Sequence, residues 1–384
     1  MGNCFSTSSV STAEISPLDL AVKPPLAVVS SPAAAAQTHL PAPRLPILPP
    51  SAKETTATAT ATSTVTVKLY GPSNSLATSY IRFALLHKKV NLRFVPSEDQ
   101  KPTIQIGSEK TSGSQEALLR YIEEKFPEPR LMIWKFNLEG FDEATPPIVK
   151  AIWLQHRSMM WHVERMLRWS EDLAARGGRR AVDPSVGTPK MEIRKFAKSY
   201  TQLQELMLEH AQMEERILFP VLESVDRGKR FSLIHMNRFR VFKFRVLAGM
   251  CKSASAEHGR ELPLMNGIKE YIKSIAVMDS GICSEELFSL ASRFKSLQMM
   301  CKAHFEEEEK ELLPMVEAAE MGKEKQKKLM NQGLEVMRGT HTNVFDFLLQ
   351  GLTPQEAMQY LDLLINFADP DLISSFMCQR DIVD

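Results

Sequence analysis

The chain has 384 residues, 43% of them hydrophobic and 24% charged, with a formal net charge of +1. That is the make-up of a globular protein with room for more than one domain, and so small a net charge offers no global field for nucleic acid. Five cysteines, at 4, 251, 283, 301 and 378, include no CxxC pair, which argues against zinc fingers, RING-type sites and a disulfide framework and for a reducing, intracellular compartment.

The chain opens with "MGNCFS", which fits the N-myristoylation pattern at Gly2, with Cys4 beside it as a site for S-palmitoylation. Two acyl chains anchor a protein stably where one does not, so the expectation is a peripheral protein on the cytoplasmic face of the plasma membrane. No run of eighteen apolar residues occurs, so no transmembrane helix is expected. Residues 1–63 are rich in Ser, Thr, Ala and Pro, as in "KPPLAVVSSPAAAAQ" and "TTATATATSTVT". Such a composition cannot bury a core, and the segment reads as a disordered tether.

From Val65 the texture changes. "VTVKLYG" alternates as a strand does, "SYIRFALLHKK" puts Ile81, Ala84 and Leu85 on one helical face, and "VNLRFVP" and "PTIQIG" read as two more strands. "SQEALLRYIEEKF" is a helix that ends ahead of Pro127 and Pro129. This βαβ…βα order over residues 64–131 suggests a small thioredoxin-like layer, with a linker at 132–146. The stretch "LYGPSNSLATSYIRFALLHKKV" resembles the first strand, active-site turn and first helix of the N-terminal domain of glutathione S-transferases. The resemblance implies a thiol-activating role for Ser75 and a cis-proline at Pro102. It departs in two places: the family's second helix is missing before Pro102, and the family's Glu-Ser pair reads Ser114-Gln115. Glutathione is therefore not expected as a ligand, and a glutathione-dependent transferase is kept as an alternative.

Past Pro147 the chain is helical almost throughout. "HAQMEERILFPVLE", from His210, has a counterpart in "HFEEEEKELLPMVE", from His304, and the offset is 304 − 210 = 94 residues. Residues four apart stack on one helical face, so His210 with Glu214, and His304 with Glu308, can each reach one ion. The apolar residues and Pro220 or Pro314 are expected to close each helix over a dry pocket. A further histidine precedes each pair, His156 on "AIWLQHRSMMWHVERML" and His258 on "SAEHGRELPLMNGIKEYI". His162 reads as a rim or outer-shell group, Glu215 and Glu309 as groups that orient imidazoles, and His341 as a possible seventh ligand. Mixed imidazole and carboxylate donors inside a four-helix bundle suit a non-haem pair of iron ions.

These residues resemble the hemerythrin-like family with HHE cation-binding motifs, over residues 147–352. The resemblance implies one iron on His156, His210 and Glu214 and a second on His258, His304 and Glu308, with both glutamates able to bridge. Oxygen-carrying hemerythrins draw two histidines from the third helix and an aspartate from the fourth. Neither feature occurs here, which directs the expectation away from oxygen carriage. No substrate-binding motif accompanies the site, so binding or sensing iron, O2, NO or peroxide is expected ahead of turnover. A metal-free helical scaffold docking an unknown protein partner is the remaining alternative.

Residues 230–249, within "KRFSLIHMNRFRVFKFRVLAGM", read as an insertion or as a basic aromatic patch for an anionic membrane, with the third helix beginning near Met250. Residues 353–384 hold a helix capped at Thr353, with Pro354 and Glu356 completing a capping box, and then a loose tail after Pro370. This helix and the one before it are expected to cover one end of the bundle. The fold expected is thus mainly α: a hemerythrin-like four-helix bundle with extra C-terminal helices, preceded by a small α/β layer.

Overall fold

The computed structural model describes residues 65–131, 141, 144–183, 187–230, 238–278, 284–319 and 321–377, with the backbone alone at 225–230, 238–248 and 339–343. Gly2, Cys4 and the expected tether lie outside the described residues, as do most of the 132–146 linker and part of the 230–249 segment. The described residues all belong to one compact unit.

Four strands make the sheet: β1 (Thr66–Gly71), β2 (Asn91–Pro96), β3 (Thr103–Ile106) and β4 (Glu109–Ser112). Their order is β2-β1-β3-β4, with β1 and β2 parallel and the other pairs antiparallel, consistent with a thioredoxin-like layer. Helix α1 (Leu76–Leu86) makes the crossover between the parallel strands, and α2 (Gln115–Lys125) follows the sheet. Val67, Leu69 and Ile104 bury one sheet face against Ile81, Ala84 and Leu85 of α1 and Leu118 and Ile122 of α2. The family's second helix is absent: residues 97–102 cross directly over the end of β1, where the Ser97 N–H donates to the Gly71 carbonyl at 3.0 Å. Pro102 is not preceded by a cis peptide; the cis bond among the described residues is Glu128–Pro129. Ser75 is the N-cap of α1, its hydroxyl accepting the Thr78 N–H at 3.4 Å. Strand β4 is a further departure from the sequence reading. Its residues, "EKTS", show no apolar alternation, and it exists because Gly107, at φ +59°, opens a two-residue turn back along β3.

The bundle is built from α3 (Pro147–Ala175), α4 (Pro189–Met213) continued by α5 (Phe219–Arg230), α6 (Arg238–Ala276), and α7 (Ser284–Glu307) continued by α8 (Leu313–Ala318). The prolines do not end their helices. Five-residue π-helical turns, Glu214–Leu218 and Glu308–Leu312, join the two parts of each helix. In an α-helix the ring of Pro220 or Pro314 would strike the carbonyl four residues back and supply no N–H to it. The π turn widens the spiral instead, and the Phe219 and Leu313 N–H groups bond five residues back, to Glu214 and Glu308. Helix α6 begins at Arg238, twelve residues before Met250, so the described part of the basic aromatic segment is helical.

Three more helices follow: α9 (Lys323–Gln350), α10 (Pro354–Phe367) and α11 (Pro370–Met377). The capping box forms as expected, Thr353 and Glu356 each receiving the other's backbone N–H. Helix α9 runs along α4 and α3 rather than across an end. The segment after Pro370 is not a loose tail: Leu372, Ile373, Phe376 and Met377 of α11 are buried. Phe345 of α9 meets Phe83 of α1 edge-on at 6.1 Å and stacks with Phe376 at 6.2 Å, so the α/β layer and the helices share one core.

His162 lies in that core and not at the rim of a site. Its ring stacks on Phe347 at 3.6 Å, and its Nε2–H donates to the Phe347 carbonyl at 2.6 Å. Gly351 lets the end of α9 lie against α3, because a Cβ there would stand 2.7 Å from the Ser158 carbonyl and 2.9 Å from the His162 ring. Burial, with Arg165 adding repulsion, pushes the His162 pKa down to about 3. The folded state therefore binds fewer protons than the unfolded one, and stability is lost as pH falls from about 6.5 towards 3. Acid unfolding of the chain should weaken in His162→Gln, which keeps a donor but cannot titrate; on the order of 4 kcal/mol of acid sensitivity between pH 7 and 3.5 is at stake. Thermal melts across that range measure it.

Candidate metal centre

Four helices bring one histidine each to the middle of the bundle. The α3 residue is His156, α4 gives His210, α6 gives His258 and α7 gives His304, while Glu214 and Glu308 open the two π turns. His156, His210, Glu214 and Glu308 are all buried, and each offers a donor atom within 4.8 Å of the others. Glu214, His258, His304 and Glu308 form a second such group. The two groups, called A and B here, share both carboxylates. All six principal candidate ligands from the sequence are thus brought together, and the glutamates stand between A and B.

The spacings suit coordination. His156 Nε2 is 3.0 Å from His210 Nε2 and 3.4 Å from a Glu308 oxygen. His210, His258 and His304 Nε2 each lie 3.4 Å from a carboxylate oxygen of Glu214 or Glu308. Donors held about 2.1 Å from one ion stand roughly 3.0–3.4 Å apart, the edge of an octahedron or tetrahedron. Polar satisfaction gives the independent test. Both oxygens of Glu214, both of Glu308, and the Nε2 atoms of His258 and His304 are buried with no hydrogen-bond partner. Buried polar atoms are almost always paired, and six orphans facing one point are what a cation would satisfy.

Each imidazole is held by its other nitrogen. Nδ1 of His156 meets Glu309 at 3.0 Å, and Nδ1 of His258 meets Glu215 at 3.0 Å, the orienting roles read for those two glutamates. The other two partners escaped the sequence reading. His210 Nδ1 bonds Gln155 Oε1 at 2.8 Å, and His304 Nδ1 bonds Glu257 Oε2 at 2.7 Å. These partners turn every Nε2 inward and set its tautomer. The signal was present, since Gln155 and Glu257 directly precede His156 and His258. A cavity of about 60 Å³ adjoins the cluster, lined by His210, His258 and His304 together with Met159, Met207 and Met265. Glu261 also lines it, buried and with one oxygen unpartnered, and was likewise not singled out. The side chain of His341 lies outside the described residues.

Charge is distributed unevenly without an ion. Burial lowers the pKa of His156, but the carboxylates of Glu308 and Glu309 beside it outweigh burial and push it up to about 9. Glu214 and Glu215 do the same for His258, also to about 9. His210 moves the other way, through burial and the three neighbouring imidazoles. Burial raises Glu214, with repulsion from Glu308 adding to it. Burial acts likewise on Glu308, but His156 and His304 hold it below the usual carboxylate range. The cluster is therefore a set of protons standing where a dication fits.

Residues 147–316 match the family model of the hemerythrin HHE cation binding domain. This part of the chain is a hemerythrin HHE domain. The match ends two residues before the end of α8, so α9, α10 and α11 lie outside it. The chain finds no match among curated proteins. In the HHE domain the donor set and the orphaned atoms agree on cation binding, and iron is the metal typical of such domains.

His156 and His258 hold protons at neutral pH and must give them up to ligate. Loading the ion-free protein with a divalent metal at pH 7.5 should release about two protons per chain, falling towards none as pH rises through about 9. Calorimetric titrations in buffers of different ionisation enthalpy give the count, and Glu309→Gln should lower it.

Proposed function

We propose that the protein is a membrane-tethered di-iron protein that binds or senses O2, NO or peroxide. The convergence of four imidazoles on two shared, otherwise unpartnered carboxylates carries this reading. Two ions sharing two carboxylates is the pattern of non-haem di-iron bundles, and mixed N/O donors favour iron over magnesium. When bound, an iron pair of this kind supplies reversible redox chemistry and open positions for small oxidants.

The protein's own part is to position and to exclude. His156, His210, His258 and His304 are aimed by their outer partners, and Phe305 stacks on His156 at 4.3 Å to shut one side of the ring. The cavity beside the cluster matches the size of a diatomic gas or peroxide, and its methionine and leucine walls admit an apolar molecule more readily than an ion. Glu261 adds a carboxyl to the methionine and leucine wall, alongside the imidazoles. Burial raises its pKa above the usual carboxylate range. Among the described residues no helix is long and apolar enough to cross a membrane. The tether in this reading is the acylated N-terminus, Gly2 with Cys4.

Loaded anaerobically with Fe(II), the full chain should hold about two irons and develop near-ultraviolet charge-transfer absorption on exposure to air. His210→Ala and His304→Ala should each abolish that absorption. Metal at well under one equivalent, unchanged by both substitutions, would reject the di-iron reading. Separately, Gly2→Ala should move the protein from the membrane fraction to the soluble fraction of cells, and Cys4→Ser should weaken membrane retention; no redistribution in Gly2→Ala would rule out the tether.

A further inference from the structure

The two halves of the ion cluster repeat one another with a single departure. His156 corresponds to His258, and Gln155 to Glu257, at an offset of 258 − 156 = 102 residues. In each half the residue before the first histidine accepts the Nδ1–H of the second: Gln155 from His210 at 2.8 Å, Glu257 from His304 at 2.7 Å. Three of the four imidazoles therefore lean on a carboxylate, and His210 alone leans on a neutral amide.

That amide is held firmly in place. Gln155 is 3% exposed, and its NH2 donates to the Tyr360 hydroxyl at 3.0 Å. His210 must give its Nδ1–H outward if Nε2 is to face an ion, so Gln155 turns its oxygen to the ring and its nitrogen to Tyr360. Tyr360 belongs to α10, which lies outside the matched HHE domain. The same helix carries Asp362, hydrogen-bonded to Tyr80 of α1 in the α/β layer. One line of contacts thus runs from His210 through Gln155 and α10 to α1.

A carboxylate that accepts the Nδ1–H makes an imidazole a stronger donor and adds negative charge beside the ion. An amide adds neither. Changes in such outer partners shift metal affinity by about 10–100-fold. Both imidazoles of group B have carboxylate partners, Glu215 and Glu257, whereas group A has Glu309 and Gln155.

We propose that the two metal positions are unequal: B fills first and keeps its ion, while A is the exchangeable position, its affinity set by Gln155 as Tyr360 holds it. This rests on the reading of the cluster as a two-ion site. Position A then follows metal supply, and whatever shifts α10 acts on A alone.

The test is stepwise Co(II) binding to the full ion-free chain, followed by visible absorption and by competition with a chelator. Two steps separated by about tenfold or more are expected. Tyr360→Phe should weaken the second step and leave the first unchanged. Glu257→Gln should narrow the gap by weakening the first, and Gln155→Glu should narrow it by strengthening the second. Equal steps in the unsubstituted protein would overturn the inference whatever the variants do, and so would a Tyr360→Phe that weakens both steps alike. Failure to bind cobalt at all would instead overturn the two-ion reading, and the inference with it.

Discussion

Glu214 and Glu308 place carboxylate oxygens within 4.8 Å of one another in the middle of the bundle, and none of their four oxygens has a hydrogen-bond partner. In a medium of low effective dielectric, two such charges repel strongly and desolvation opposes each of them. Only positive charge brought to the same place makes the arrangement tolerable. Much of the surrounding structure follows from this demand. Four imidazoles surround the pair with their outward nitrogens each occupied, so that every Nε2 faces inward, those of His258 and His304 without a partner and those of His156 and His210 against each other.

The local backbone serves the same end. A histidine and a glutamate four apart on a regular helix already share a face, but the prolines six residues after each glutamate would break an ordinary helix there. The π turns absorb both prolines without ending the helices, and each widened turn begins at the glutamate itself. The repeat in sequence becomes a repeat in geometry. Leu218 and Leu312, at the far ends of the turns, are fully buried, so apolar packing fixes the segments that carry the carboxylates.

The ligands were legible because their chemistry permits few substitutes: imidazole and carboxylate at helical spacing, twice, in one flanking context. Gln155 and Glu257 were not, since a polar residue beside a histidine has many ordinary reasons to be there. Only the packing of α3 on α4, and of α6 on α7, shows that each reaches the histidine of its neighbour. The misread elements share a cause in their brevity or polarity. "EKTS" has no apolar alternation, and "PDLISSFM" is too short to show a helical period. His162 was misjudged because Glu164 and Arg165 beside it suggested water, whereas α9 packs over the ring. The widened turns could not be foreseen from propensity, because proline is read first as a stop.

Phe83 belongs to the layer that resembles an independent module, yet its ring rests on Phe345 of α9, which also meets Tyr360 and Phe376. A module that lends a wall to its neighbour's core cannot be exchanged or removed as a cassette. Cut away, it would leave an aromatic seam open to water on three C-terminal helices, and with it the helix whose tyrosine steadies Gln155. A substitution in the layer therefore acts on the packing of the bundle as well as on its own fit.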